Sequence, residues 1–172
     1  MRDKNRMKQP VQKFAIGGLK LSLELSQIQL TPDTPLPVHE VFARLTGQHI
    51  NMTLLSLDVL DGRISGAFCI SAADKIRAEI ALLPIAGFYS MISPVGSVTI
   101  FPHQSRMALI GCVLSAMHRI NAPIYAMASS FSALTLTTHY HRMDDAAEAI
   151  LSVVTLPNNH APFRPEFQVR QL

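Results

Sequence analysis

At 172 residues and 18.9 kDa the chain suffices for one ordinary domain or two compact ones. With 48% hydrophobic and 16% charged residues it has material for a packed core, which excludes a disordered chain. Two cysteines, Cys69 and Cys112, sit in apolar contexts and cannot build a disulfide framework or a thiolate zinc site. No apolar run reaches the ~18 residues that cross a bilayer. The expectation is a soluble, cytoplasmic protein with no membrane attachment. The net charge of +3 is unevenly placed: residues 1–20 hold six Lys/Arg against one acid, and the remainder holds nine against eleven. The basicity belongs to a leader, 1–18, and the slightly acidic body argues against a nucleic-acid partner.

Leu19, Leu21, Leu23 and Leu25 alternate with polar residues, the period of a half-buried strand, and the phase then switches to Ile28 and Leu30. A proline-rich loop from Thr31 to Pro37 leads into a helix with Val38, Val41, Phe42 and Leu45 inward, ending near Gly47. Ile50, Met52 and Leu54 alternate, a second phase runs through Leu55, Leu57 and Val59, and Asp61-Gly62 marks a tight hairpin. The return strand carries Ile64, Gly66, Phe68 and Ile70. Ser71 or Asp74 opens a second helix with Ile76, Ile80 and Leu83 inward, Pro84 closes it, and Phe88–Ile92 reads as a strand.

The same order then recurs. Val98–Phe101 is a strand, and a helix follows with Met107, Ile110, Val113, Leu114, Met117 and Ile120 on one stripe. Ile124–Ala128 and Ala133–Thr138 form a hairpin around Ser129–Ser132. Asp144 and Asp145 start a last helix with Ala147, Ile150, Leu151 and Val154 inward, and Phe167 and Val169 suit a final strand. Two strand–helix–strand–strand–helix–strand copies make an α+β protein of two ferredoxin-like (βαββαβ) repeats, 19–94 and 95–172. Each antiparallel sheet has its helices on one face, so the other face and the edges call for cover by the other repeat or by a second chain. A homodimer is expected.

The stretch from Pro32 to Met52, Pro-Asp-Thr-Pro-Leu-Pro leading through a helix to Ile-Asn-Met, resembles the start of an ACT domain. Met107–Ile120, Asn121, Ser129-Ser-Phe-Ser-Ala-Leu-Thr-Leu and Asp145-Ala-Ala-Glu-Ala-Ile-Leu resemble the regulatory half of aspartokinases, over roughly residues 19–156. No kinase domain accompanies the two copies. The resemblance implies a freestanding, non-catalytic regulatory pair that binds an amino acid between repeats or at a dimer interface. It carries over Asp33, Thr34, Pro35, Leu36, Asn51 and Met52 as ligand-binding residues in the first copy. In the second it carries over His103, Gln104, Ser105, Asn121, Ala122 and Ser129. Backbone N–H groups at a helix start suit a carboxylate, Asp33 suits an ammonium, and Asn51 or Asn121 offers donor and acceptor. Leu36 stands at the family's glycine, Phe101-Pro102-His103-Gln104 replaces the usual second loop, and Phe131 replaces an acid. These departures favour a rival reading: a protein-interaction module without a pocket, acting on a partner enzyme of amino-acid metabolism.

His139-x-His141 with Asp144 and Asp145 would be the only support for an enzyme, and spacing supplies no third metal ligand. Gly17-Gly18 lacks the rest of a phosphate loop, and no nucleophile motif occurs. No cofactor and no metal is expected.

Overall fold

The computed structural model describes residues 13–30, 38–61, 63–102 and 106–164. The elements are β1 (Phe14–Ala15), β2 (Gly18–Leu21), β3 (Leu25–Leu30), α1 (Val38–Gly47), β4 (Met52–Leu60), β5 (Arg63–Ser71) and α2 (Lys75–Leu82). Then come β6 (Tyr89–Phe101), α3 (Met107–Arg119), β7 (Ala126–Ser129), β8 (Leu134–His139), α4 (Met143–Leu151) and β9 (Val154–Thr155). The strand order is β4-β5-β3-β6-β8-β7, with β2 also paired to β6. This is α+β architecture with two ferredoxin-like units, as the sequence predicts.

The two units share one strand. The expected strands at 88–92 and 98–101 are a single 13-residue β6, so the division at 94/95 falls inside an element. Its first part pairs β3 (Leu30↔Tyr89 to Gln27↔Ile92), and its second pairs β8 (Val95↔His139 to Ile100↔Leu134). The first unit reads β4-β5-β3-β6. The second reads β7-β8-β6-β2, because Gly18–Leu21 pairs antiparallel with Val98–Phe101.

Residues 19–21, assigned to the first repeat from sequence, therefore supply the fourth strand of the second. The phase switch after Leu25 coincides with a register shift between Leu25 and Gln27 in the β3–β6 pairing and with a change of core. Leu19 and Leu21 face the second core with Val98, Ile100, Val113, Met117, Leu136 and Ile150, whereas Ile28 and Leu30 face the first with Val41, Leu45, Phe68, Ile70 and Leu82. The strand expected at 166–170 lies outside the described residues. Part of the supposed leader also belongs to the fold: Phe14–Ala15 pairs parallel with Val154–Thr155, and Lys13 Nζ donates to the Leu151 carbonyl at 2.9 Å.

Locally the chain follows its chemistry. Asp61 takes a positive φ of 51° at the β4–β5 turn. The two phases within 50–60 are one strand interrupted by a register shift between Met52 and Leu54, which turns the next side chains over. Gly66 has φ 149°, and a Cβ there would stand 2.1 Å from the Ser56 carbonyl oxygen, so the hairpin closes only around glycine.

In α2 the facing is the reverse of the expected one. Ala78 and Leu82 are fully buried, while Ile76, Ile80 and Leu83 are about 70% exposed. Ala78 lets the helix backbone sit close to the sheet, and Leu82 then fills the core beside Phe68 and Ile85. In α3, Met107 likewise points outward, and Leu109, Val113, Ala116 and Met117 form the buried stripe. In α4 the inward residues are Met143, Ala146, Ala147 and Ile150, and Val154 reaches the core from β9 instead.

The sheet faces without helices meet each other. A small apolar seam of Leu25, Cys69 and Val95, backed by Leu54, Ile92 and Tyr125, joins them. Within it the fully buried Gln27 accepts a hydrogen bond from Thr137 Oγ1 at 2.6 Å through Oε1. Gln27 Nε2 has no partner among the described residues. Burial pushes the Cys69 thiol up to about 12.

Facing and seam can both be tested. Leu82→Ala should cost about 2–5 kcal/mol in urea denaturation, while Ile80→Ala should stay within about 0.5 kcal/mol. The opposite order would restore the facing expected from periodicity. A Cys69 thiol that ionises near 9 when unfolded and near 12 when folded keeps its proton in the native state across that window. It contributes stability in full below pH 9 and loses it as pH rises toward 12, at up to about 1.4 kcal/mol per pH unit. Denaturation curves at about pH 8 and about pH 10.5 should show a smaller drop for Cys69→Ala than for the natural chain.

Candidate functional site

Each unit begins with a strand, a connecting segment and a helix. Asp33, Thr34, Pro35, Leu36, His103, Gln104 and Ser105 lie outside the described residues. The helices they lead into differ at their starts. α1 carries Glu40 in its first turn, whereas α3 has no acid there and Arg106, at its N-cap, makes no side-chain hydrogen bond to it. The first N–H groups of α3 thus carry no compensating charge from its own first turn.

The other expected residues sit at the far ends of these helices. α1 ends in a turn where Gln48 N–H donates to the Leu45 carbonyl, His49 N–H to Thr46, and Ile50 N–H back to Leu45 at 3.1 Å. His49 has φ 52° and Ile50 is buried. α3 ends in the same way: Asn121 N–H donates to His118 at 2.9 Å, Ala122 N–H to Met117 at 3.1 Å, Asn121 has φ 51° and Ala122 is buried.

This is a left-handed C-terminal cap followed by an apolar residue, and asparagine suits it because its short polar side chain tolerates that conformation. Asn121 and Ala122 therefore hold the positions of His49 and Ile50. Asn51 and Met52 stand two residues further on, at the start of β4. A ten-residue helix about 15 Å long separates the first turn of α1 from Asn51. Ser129 ends β7 opposite Leu134, and the next residue closes the hairpin: Ser130 N–H donates to the Ala133 carbonyl at 2.8 Å, and Ala133 N–H donates to Ser130 Oγ at 3.1 Å. Phe131 at the tip is 84% exposed.

His139 packs edge-on against Tyr125, and His141 sits on the short turn after β8 beside Tyr140. Among the described residues no three His, Cys, Asp or Glu side chains converge as a metal site would need. No helix among them is long and apolar enough to cross a membrane.

Sequence reasoning missed a depression of about 360 Å³ between the end of α3 and one face of α4, lined by Ile120, Arg142, Asp145, Glu148 and Ala149. Arg142 is held there by two bonds: Nη2 donates to the Ile120 carbonyl at 2.8 Å and Nε to Asp145 Oδ2 at 2.7 Å. The visible signal was the Arg142, Asp145, Glu148 spacing of three, which places all three on one helical face.

No protein-family model matches the chain, and no curated protein matches it significantly in sequence. Solved structures match its fold. The regulatory subunit of aspartate kinase from Thermus thermophilus, in its ligand-free form, aligns with TM-score 0.68 and 21% identity over 80% of this chain and 97% of that one. The corresponding subunit from Thermus flavus gives 0.70 and 21% over 81% and 98%. Aspartokinase III of E. coli, in complex with lysine and aspartate, gives 0.59 and 14% over 88% of this chain and 34% of the enzyme. At these identities the likeness is one of architecture, and that architecture is the ACT-type fold of an aspartate kinase regulatory subunit.

Proposed function

We propose that the chain is a non-catalytic regulatory protein of the ACT type that binds an amino acid where two units or two copies meet. The observation that carries this is the interlocked topology, in which β2 completes the second unit and β6 serves both. Two freestanding regulatory subunits of aspartate kinase are covered almost end to end by it. Lysine and aspartate in the E. coli enzyme's structure indicate the ligand class.

The geometry supports a site shared between units. The start and end of each helix lie at opposite ends of a rod about 15–20 Å long, so one small ligand reaches both kinds of candidate residue only by drawing them from different units or copies. The start of α3 would take the carboxylate. Asp33, with Thr34, Pro35 and Leu36, would serve the first unit, and His103, Gln104 and Ser105 the second. Asn51, Met52, Asn121, Ala122 and Ser129 would face a neighbouring copy. Edge strand β4 exposes Leu55, Leu57 and Val59, which a homodimer would cover. The compartment is the cytoplasm, and the regulated partner is an enzyme of amino-acid metabolism.

A second reading, a protein-interaction module without a pocket, is favoured by the outward stripe of Ile76, Ile80 and Leu83. Thermal denaturation and titration calorimetry against the twenty amino acids separate the two. Binding at a hundredfold excess over Kd should stabilise the chain by about 2.7 kcal/mol. No heat and no shift with any amino acid, together with stoichiometric capture of a protein partner, would replace the first reading by the second.

A further inference from the structure

We infer that the depression between α3 and α4 is a second, intrachain site, selective for an aliphatic α-amino acid in its zwitterionic form. Its volume of about 360 Å³ lies at the lower end of the range of small-molecule sites. Its lining supplies what a zwitterion needs. Arg142 is the cationic element, and it is not free to swing: the Ile120 carbonyl and the Asp145 carboxylate hold Nη2 and Nε. That leaves the unassigned edge of the guanidinium for a carboxylate.

Glu148 is the anionic element. It is exposed, lies one helical turn beyond Asp145, and has no ion pair among the described residues, whereas Asp144 and Asp145 are engaged by Arg164 and Arg142. An ammonium group at Glu148 would also lie near the carbonyl end of α3, where the helix dipole favours a cation. Ile120 and Ala149 supply the apolar floor for the side chain.

The choice of an amino acid rests on the sensor reading above, but the position does not, since none of these five residues is among the ligand-binding residues carried over from the resemblance. Occupancy has a route into the fold. Arg164, which holds Asp144 of α4, continues the segment whose Phe163 and Pro162 carbonyls accept from Leu21 N–H and Lys20 Nζ of β2.

The test is an NMR titration of the full ¹⁵N-labelled chain with leucine, leucinamide (no carboxylate) and isovalerate (no ammonium). Leucine should shift the amides of Ile120–Ala122 and Arg142–Ala149, and the two half-ligands should bind at least about tenfold more weakly. Glu148→Gln should weaken leucine about tenfold and Glu148→Lys should abolish the shifts. Because Glu148 is exposed, both variants should keep the spectrum of the folded chain. Equal leucine binding by Glu148→Lys would overturn the site. Shifts confined to the starts of α1 and α3 and to β4 would overturn it while leaving the proposed function standing, and no shift with any amino acid would remove both.

Discussion

β6 can form its hydrogen bonds in full only if strands of both units pair with it. Over Tyr89–Ile92 its one partner among the described residues is β3, and over Val98–Ile100 it lies between β8 and β2. Most of the remaining topology follows. β2 precedes β3 in the chain yet pairs with the second half of β6, whereas β3 pairs with the first half, so the first unit is inserted into the second. The crossing point is Ser22: its N–H donates to the Ser97 carbonyl at 2.9 Å, and its Oγ accepts from Ser97 N–H at 2.8 Å. The units are consequently not separable modules, and a displacement in one reaches the other through a continuous backbone.

The seam to which β6 contributes Ile92 and Val95 is chemically different from the cores it joins. Each core is a closed set of aliphatic and aromatic side chains, whereas the seam buries Gln27 and Thr137 with one amide hydrogen-bonding group unmatched among the described residues. A buried polar group in that condition makes the contact weaker than an apolar one of the same size, and more specific in its register. Two rigid units on a shared strand, held by a polar seam, form an arrangement in which a ligand with different contacts in two placements could bias one over the other.

Much of this was legible where one face of an element is apolar and the other is not. α1, both hairpins, the start of α4 and the recurrence of the fold pattern were read from alternation, turn residues and caps. Errors arose where local pattern admits two answers. α2 has two apolar stripes, Ile76/Ile80/Leu83 and Ala78/Leu82/Ile85, and periodicity cannot say which one packs; closeness of approach chose the one containing alanine. The expected strands at 88–92 and 98–101 stop on either side of Pro94, which lacks an N–H, yet β6 runs through it. The phase switch after Leu25 suggests a bulge or a strand end, and the β3–β6 register does shift between Leu25 and Gln27; that the side chains on either side enter different cores is revealed only by the long-range pairing of β2 with β6. For the site, Asn51 and Asn121 look equivalent in sequence, while the backbone pairs Asn121 with His49, since what recurs is a left-handed helix cap.

The two units differ in how their margins are closed and in where they leave apolar side chains exposed. The second unit is fastened at its margins: β1 lies on β9, Lys13 bonds to the end of α4, and the Phe163 carbonyl accepts from the outer side of β2. The first unit leaves Leu55, Leu57 and Val59 open on β4 and Ile76, Ile80 and Leu83 open on and just after α2, whereas the exposed apolar side chains of the second, Met107, Ile124, Met127 and Phe131, lie at the start of α3 and on and beside the β7–β8 hairpin. Apolar side chains left in water contribute nothing to folding, and each that is later covered adds free energy to association. On the proposed function, the first unit would be the one to meet another surface. On the inference drawn above, the second, whose charged depression is lined by residues of α4 and the end of α3, would take a small ligand without competing with that contact.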